Sequence, residues 1–390
     1  MTQSCSKYLL LATDLAQEFA KTAINRDRQG KTPIAERDQI RKSGLLKLNI
    51  PQEYGGYGEN WQSVFAISRE FAKVDSSIAH VLSYHYLGVV TPHIFGCDQQ
   101  KSDYYLKTIE SNWFWANAIN PLDQRTILKE DGKNFRLDGI KSFCSGSHDS
   151  DILTVSATNS KTGEFSILAI PTNREGIQLN EDWDNIGQRQ TDSGSVTFSN
   201  VLVYKEEVLK NQQPSGQAFS TIRACLTQLN LAYIYLGIAE GAFAAAKNYT
   251  LTQALPWLTS QVAKATEDPY ILQHYGNFWL NLQSANALVE KASGLLQKAW
   301  DKEWELTLEE RGECALSVAT AKISATKIGL DIVNQIFEVM GARSTHSEYG
   351  FDRYWRNLRT FTLHDPIAYK VQDVGNWALN DLYPQPNFYS

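Results

Sequence analysis

Two histidines with polar neighbours are the clearest candidates for proton transfer in this sequence. His364 is followed directly by Asp365, and His80 precedes Tyr84 by four residues. Residues four apart on a helix share a face, whereas His85, one step round from Tyr84, would point elsewhere. The pKa of an unperturbed histidine lies near neutral pH, so an imidazole can donate or accept a proton there. We expect acid–base chemistry at His364 and expect His80 and Tyr84 to line a pocket, with ordinary packing as the alternative for each.

Metal chemistry is not indicated by the remaining histidines and cysteines. No histidine pair has the H-E-x-x-H spacing or a comparable ligand spacing, so we expect no metal site. The five cysteines are scattered without CxxC spacing, which is typical of reduced thiols in a cytoplasmic protein. We interpret the other histidines as structural: His93, His148, His274 and His346.

Length and charge exclude several classes of partner. The chain has 390 residues, is 43% hydrophobic and carries a formal net charge of −6. A mildly acidic chain without a basic block is an improbable nucleic-acid binder. The N-terminus lacks the pattern of a secretory signal, and we expect no membrane association.

The elements that must position these residues change twice along the chain. We expect an N-terminal helical domain at 1–111, a central β domain at 112–212 and a C-terminal helical bundle at 213–390. Short β-rich runs occupy the middle: Trp113–Ile119, Ile152–Ala157, Phe165–Ile170 and Ser195–Val203. Helical spacing beyond them is clearest in two apolar stripes: Leu288, Ala292, Leu295, Ala299, and then Leu316, Ala319, Ile323, Leu330, Val333, Phe337, Met340.

Five segments in order resemble the acyl-CoA dehydrogenase family. They are Lys141–Gly146, Asn185–Val203, Gly237–Tyr249, Val339–Arg343 and Arg353–Arg359. Each segment is a weak signal alone, but their order covers nearly the whole chain. The resemblance implies an α+β fold of that family: N-terminal helical domain, central β-barrel-like domain and C-terminal four-helix bundle. It also implies a flavin beside Lys141–Ser145.

Three departures from the dehydrogenase pattern point to a different branch of the family. Asn117–Thr126 stands where dehydrogenases have a Thr-Glu-Pro-like motif, and His364-Asp365-Pro366 stands where they have Tyr-Glu-Gly. Gln253 replaces an arginine that usually serves the flavin pyrophosphate. These segments resemble the reduced-flavin-dependent monooxygenases typified by dibenzothiophene monooxygenase and related organosulfur monooxygenases.

That branch implies a cofactor, a co-substrate and partners. The flavin would be FMN, supplied reduced by a separate NAD(P)H-dependent flavin reductase, with FAD as the alternative. Dioxygen would react through a C4a-hydroperoxyflavin to oxygenate a small organosulfur or other heteroatom or aromatic substrate. Such chemistry needs a proton donor at the oxygen and walls that exclude water. Relatives form homotetramers through the C-terminal bundle.

The resemblance also assigns site residues. His364, His80 and Ser145 are the expected catalytic residues. The expected cofactor-binding residues are Tyr84, Asn117, Asn120, Leu122, Lys141, Ser142, Phe143, Cys144, Ser145, Ala342, Arg343 and His364. Trp113, Phe114 and Trp115 could wall an aromatic substrate or could belong to the core, which is more common for alternating aromatics in a strand.

Two other functions stay open from the sequence. The chain could be an acyl-CoA dehydrogenase that holds FAD, uses Asp365 as its base and passes electrons to an electron-transfer flavoprotein. It could also be a catalytically silent relative that binds flavin or a partner. A dehydrogenase would purify yellow with tight FAD, whereas the monooxygenase would be nearly colourless.

Overall fold

The computed structural model describes residues 7–210 and 216–390. Its first part is helical, as predicted, with α1 Lys7–Ala20, α2 Ala23–Gln29, α3 Ile34–Ser43, α4 Trp61–Ala72, α5 Ser76–Val89, α6 Thr91–Phe95 and α7 Asp98–Ser111. The predicted boundary at 111/112 lies between α7 and the first strand. The predicted boundary at 212/213 lies outside the described residues.

Helix α5 is buried along its whole length and carries several candidate site residues. Asp75 caps its first turn, because its Oδ1 accepts from the backbone N–H groups of Ser77 and Ile78 at 3.1 and 3.3 Å. Every residue of α5 is buried, as expected for a helix that is packed on all sides. Since α4, the helix Ile222–Thr252 and the strand Trp115–Ala118 pack against it, α5 presents side chains to the sheet and to the helices at once.

The middle of the chain forms one seven-stranded sheet. Its strands are β1 Trp115–Ala118, β2 Ile127–Asp131, β3 Asn134–Lys141, β4 Ile152–Asn159, β5 Phe165–Pro171, β6 Ile177–Leu179 and β7 Val196–Val203. The strand order is β1-β4-β2-β3-β7-β6, with β5 paired to β4. The register shifts between Leu137 and Gly139 on β3, which bends the strand. The result is a curled sheet, which agrees with the β-barrel-like central domain that the family resemblance implied.

Long helices form the remainder: α8 Ile222–Thr252, α9 Pro269–Lys302, α10 Leu308–Met340, α11 Asp352–Phe361 and α12 Ile367–Asn380. Both predicted stripes fall in helices, α9 and α10. However, four members of the α10 stripe are only partly buried: Leu316, Ile323, Leu330 and Phe337. The fully buried stripe is displaced around the helix and includes Ala315, Val318, Lys322, Ala325, Gly329, Ile332, Ile336 and Val339. A lysine therefore lies in the centre of the bundle.

One helical stretch, Phe219–Thr252, has the length and hydropathy that a membrane-crossing helix needs. Most of its apolar window, 78%, is buried inside the protein. It packs against α4, α9 and α10. Its high hydropathy is therefore explained by its position as a core helix.

Candidate functional site

His364 lies just after α11 and bridges two elements. Its Nδ1 is 2.9 Å from Asp365 Oδ1, and its Nε2 is 3.3 Å from the hydroxyl of Tyr84 on α5. The aspartate accepts from Nδ1–H, which leaves Nε2 to exchange a proton with the tyrosine or a ligand. The structure thus brings the predicted acid–base residue to the predicted pocket-lining tyrosine, 280 positions away in the chain.

Asp365 is buried, and its Oδ1 atom accepts several hydrogen bonds. Its Oδ1 also accepts from Lys322 Nζ and, at 3.3 Å, from Gln228 Nε2. Although burial opposes ionisation, the His364 hydrogen bond and the Lys322 charge hold the pKa of Asp365 well below its usual range. Burial lowers the pKa of Lys322 to about 8, against the opposing charge of Asp365. A carboxylate held in this way orients His364 and is a poor free base.

His80 shares the predicted face of α5 with Tyr84, and their ring centroids are 4.4 Å apart. Phe361 contacts the His80 ring with its centroid 4.6 Å away. Neither ring nitrogen has a hydrogen-bond partner within the described residues. Burial, with a smaller contribution from His364, lowers the pKa of His80 to about 3, so the ring is neutral. It therefore offers one donor and one acceptor to a bound molecule.

His85 faces the other way, as predicted. Its Nε2 is 2.9 Å from Leu46 O, and its Nδ1 accepts from the Trp115 backbone N–H at 3.2 Å. Trp115 and Phe114 are fully buried in the core, and Trp115 donates to Thr108 Oγ1. These contacts favour the core interpretation of the two aromatics over a substrate wall.

The segment predicted to run beside a flavin is the end of β3 and the turn that follows it. Lys141 donates to Asn120 O at 3.3 Å and to Asp123 O. Asn120 Nδ2 donates to Ser142 O at 3.4 Å. These bonds connect the loop that contains Asn120 to the end of β3. Leu122, in the same loop, is 77% exposed.

The turn itself exposes one aromatic ring and buries one thiol. Phe143 has φ of 59° and is 61% exposed. Cys144 points into the sheet core, where burial raises the pKa of its thiol. Its backbone N–H donates to Gly194 O at 2.9 Å. Ser145 Oγ lies 2.8 Å from Ser193 Oγ.

These residues fit a flavin. An isoalloxazine needs apolar contact on its face and donors or acceptors at its edge. Phe143 supplies an exposed ring, Ser145 a hydroxyl, and His80 two unpartnered ring nitrogens in a buried position. Unpaired buried polar atoms are uncommon in proteins, which is why His80 indicates a missing partner.

Ala342 and Arg343 do not join this cluster within one chain. They lie beyond the end of α10, where both are exposed. The stretch from Lys322 to Met340 is roughly 27 Å long at about 1.5 Å per helical residue. Gln253 lies at the same distal end, where its Oε1 accepts from Tyr349 OH at 3.0 Å. Arg343 therefore lies beyond the C-terminal end of α10, away from the Lys322–Asp365 pair.

Several residues around His364 were missed by the sequence reasoning. They are Lys322, Gln228, Arg223 and Tyr389. Tyr389 places its ring centroid 5.9 Å from that of His364, and its carbonyl accepts from Lys370. Arg223 contacts the predicted residue Asn117, with Nη2 3.2 Å from Oδ1. Only Lys322 could have been identified from the sequence, because it is a charged residue at helical spacing among apolar residues.

The histidines predicted to be structural have protein partners. His93 lies 3.0 Å from Tyr105 OH, and His148 lies 3.4 Å from Asn180 O. His274 and His346 pair with Gln335 and Glu348. Among residues 7–210 and 216–390, no group of three or more His, Cys, Asp or Glu side chains could hold a metal ion.

Three protein-family models match the chain in order. The N-terminal domain of acyl-CoA dehydrogenase matches residues 11–111, the middle domain matches 119–201 and the C-terminal domain matches 229–368.

Named relatives and solved structures align over almost the full length. The Pseudomonas putida protein named "Probable FMNH2-dependent monooxygenase SfnC" is 51% identical, over 98% of this chain and 97% of its own. The structure of methanesulfinate monooxygenase MsuC from Pseudomonas fluorescens is 50% identical, with a TM-score of 0.96 over 98% of this chain and 99% of that one. FMN-bound TdsC, a dibenzothiophene monooxygenase of Paenibacillus sp. A11-2, is 41% identical, with a TM-score of 0.93 over 98% and 99%.

Proposed function

This chain belongs to the acyl-CoA dehydrogenase family, and from that premise we propose that it is a two-component flavin-dependent monooxygenase. It takes reduced FMN from a separate NAD(P)H-dependent flavin reductase and transfers one oxygen atom from dioxygen to a small organosulfur compound. The similarity to an FMNH2-dependent monooxygenase and to an FMN-bound structure supports the cofactor. In this chain itself, the proposal rests on the hydrogen bonds that connect His364 to Asp365 and to Tyr84.

The residues around the flavin would divide the work. Bound reduced flavin supplies the two electrons by which dioxygen is activated. His364 delivers a proton from Nε2, and Asp365 stabilises the positive charge of the imidazole while fixing its orientation. Neutral His80 and the Ser145 hydroxyl would hydrogen-bond to the flavin. Asn117, Asn120 and the backbone of 141–145 would help to hold it.

Phe361 covers the buried ring of His80, and Tyr389 contacts one side of the His364 imidazole. The His364 side chain is still 27% exposed, so the bound flavin and substrate would have to complete the exclusion of water that limits the loss of activated oxygen as hydrogen peroxide.

Asp365 argues against the dehydrogenase alternative. A dehydrogenase base must reach a carbon of its substrate as a free carboxylate. Here the Oδ1 atom of Asp365 is occupied by His364, Lys322 and Gln228. The paired polar cluster also argues against a silent relative, since maintaining buried charges has a free-energy cost.

The test is an assay with purified protein, chemically reduced FMN, dioxygen and a panel of sulfides, sulfones, sulfinates and thiophenes, with products followed by mass. The His364→Ala variant should form product at least about 100-fold more slowly, because a general acid contributes at that scale. The variant should still consume oxygen, with hydrogen peroxide as the product. The matched control is His346→Ala, an exposed histidine that should behave as wild type. Tight yellow FAD that is reduced by an acyl-CoA would overturn the proposal.

We also propose that the working form is a cytoplasmic homotetramer in which Arg343 reaches the FMN phosphate of a neighbouring subunit. Arg343 is exposed and lies far from His364 along the bundle, and its planar fork suits a phosphate. Free thiols at the four described cysteines support a reducing compartment. The three-part division at 111/112 and 212/213 is likewise a proposal.

A further inference from the structure

Three buried hydroxyl groups form a hydrogen-bonded chain that begins at Ser145. Ser145 Oγ lies 2.8 Å from Ser193 Oγ, and Ser193 Oγ lies 2.8 Å from Thr191 Oγ1. The far end of the chain is the carbonyl oxygen of Gln188, which lies 2.9 Å from Thr191 Oγ1. All three hydroxyl residues are buried, so their hydrogen bonds are made within the protein rather than to bulk water.

The Gln188 carbonyl fixes the direction of this hydroxyl chain. A carbonyl oxygen can only accept, so the proton of Thr191 Oγ1 points at Gln188 O. Thr191 Oγ1 then accepts from Ser193, and Ser193 Oγ accepts from Ser145. In this direction every hydroxyl proton has an acceptor within 2.9 Å. The backbone oxygen of Thr191 lies 3.5 Å from Ser193 Oγ, which is too long to compete.

Gln188 is itself held by three other parts of the protein. Its backbone N–H donates to Asn357 Oδ1 on α11 at 2.7 Å, and its side chain donates to Ser76 Oγ on α5 at 3.0 Å. Trp183 Nε1 donates to its carbonyl oxygen at 2.8 Å. The end of the hydroxyl chain is therefore fixed, and reversing the direction of the chain would break the hydrogen bond from Thr191 to Gln188.

This direction leaves Ser145 as an acceptor towards a bound molecule. Its own proton points at Ser193, and no other group within residues 7–210 and 216–390 donates to its Oγ atom. The backbone carbonyl of Ser145 accepts from the Asn117 N–H at 3.0 Å, so the acceptor lies among the residues that are expected to hold the flavin.

We propose that Thr191 and Ser193 act through Ser145 to make the site prefer reduced FMN over oxidised FMN. This inference rests on the proposed monooxygenase function. Reduced flavin carries an N–H group at N5 of its central ring, whereas N5 of oxidised flavin is an acceptor, and hydrogen bonds to the ring nitrogens tune the cofactor. An acceptor at Ser145 matches the reduced form. The oxidised form is matched only if the hydroxyl chain reverses and the bond from Thr191 to Gln188 is lost.

Such a preference suits an enzyme that takes its flavin from a separate reductase. The FMN arrives reduced and has to leave oxidised, so that the reductase can reduce it again. One neutral hydrogen bond that is kept with one form and lost with the other changes their relative affinity by about fivefold. Thr191 and Ser193 are positioning residues, because they affect the flavin only through Ser145.

The experiment compares the dissociation constants of oxidised and reduced FMN, with the reduced form measured without oxygen. Wild type should bind reduced FMN at least about fivefold more tightly. In Thr191→Val, Ser193 loses its acceptor and donates to Ser145, which frees the Ser145 proton. The ratio of the two constants should therefore fall about fivefold. The midpoint potential of bound FMN should fall by about 20 mV, since tenfold corresponds to about 30 mV for a two-electron couple.

Two controls accompany this variant. Thr191→Ser keeps the hydroxyl and should retain the wild-type ratio. Thr320→Val removes a threonine hydroxyl that donates to the carbonyl of Leu316 on α10 at 2.8 Å, and it should also leave the ratio unchanged. If Thr191→Val does not fold, Ser193→Ala provides the same test, because it too removes the acceptor of the Ser145 proton.

A double variant identifies Ser145 as the group through which Thr191 acts. Ser145→Ala should weaken the binding of reduced FMN more than that of oxidised FMN, and adding Thr191→Val should not change the ratio further. Equal affinity of wild type for the two forms, an unchanged ratio in Thr191→Val, or additive effects in the double variant would overturn the inference.

These binding measurements need no turnover, so they separate the inference from the proposed function. If no sulfur compound is oxygenated yet the ratio depends on Thr191, the proposed function fails while the role of the hydroxyl chain stands. If product forms and the ratio is the same in Thr191→Val as in wild type, only the inference fails.

Discussion

His80 is a neutral imidazole kept without a protein partner in the interior. Its ring is packed between Tyr84 and Phe361, and its two nitrogens have no hydrogen bond among the described residues. Protonation would place a charge in a buried position beside His364, which explains the fall of its pKa to about 3. Such a residue lowers the stability of the ligand-free protein in acid.

The His80 pKa predicts the pH dependence of unfolding. Between about pH 6.5 and pH 3, the unfolded chain binds a proton at this position that the folded chain excludes, so stability falls as the pH decreases. The His80→Phe variant removes this site and should show a shallower decline, by up to about 1.4 kcal/mol per pH unit. Urea unfolding of the ligand-free protein across pH 4–7 measures it. The exposed control His346→Gln should follow wild type; parallel curves for His80→Phe would contradict the assignment.

At the residue scale, spacing along one helix was enough to pair His80 with Tyr84 and to exclude His85. The partners of Asp365 could not be found in this way. Lys322 and Gln228 lie 43 and 137 positions away in the chain, and only the packing of α8 against α10 brings them to the aspartate. The residues next to Asp365 in the sequence do not indicate its contacts with Lys322 and Gln228.

Among the elements, α10 shows how a helix can hold a charge in its apolar face. The buried stripe runs Val318, Lys322, Ala325 and Gly329, at steps of three and four residues. Of the predicted stripe, Ala319, Val333 and Met340 are buried, whereas Leu316, Ile323, Leu330 and Phe337 are only partly buried. The prediction therefore placed part of the face correctly but left out Lys322, because a search for apolar residues at helical spacing omits a charged one.

The stripe predicts a non-additive pair of substitutions. Lys322→Met leaves the Asp365 carboxylate buried without its cation, which should cost about 3–5 kcal/mol of stability. Adding Asp365→Asn removes the unpaired charge, so the double variant should regain much of the loss. Lys327→Met, an exposed lysine on the same helix, should have little effect. Thermal and urea unfolding of wild type, Lys322→Met, Asp365→Asn and the double variant measures the cycle; a double variant as unstable as the sum of the singles would refute the ion-pair account.

For the whole molecule, the order of helices, sheet and bundle was predictable because motifs from every part appear in sequence order. The shape of the working enzyme was not. His364 lies in one region of the bundle, and Gln253 and Arg343 lie at the distal ends of α8 and α10. If Arg343 contacts the flavin as proposed, a second copy of the chain completes the flavin site. The sequence of one chain does not state how the copies are arranged.

Exposed apolar residues at that distal region predict where copies meet. Leu255, Trp257 and Leu258, in the connection after α8, are 70%, 74% and 92% exposed. A cluster of this kind is typical of a protein–protein contact. If the protein is the homotetramer proposed above, Trp257→Glu combined with Leu258→Glu should shift it to smaller species in light scattering after gel filtration, because carboxylates buried in the contact would lack partners.

The same variant should bind FMN more weakly if Arg343 acts across the interface. Its FMN affinity should then rise with protein concentration, whereas that of Arg343→Met should stay low at every concentration in a tetramer of normal size. Leu10→Glu, which alters an exposed apolar residue on α1, separates general surface effects from this interface. If the double variant remains a tetramer, the interface between subunits does not include Trp257 and Leu258. Unchanged FMN affinity in a dissociated protein would instead place the whole flavin site within one subunit.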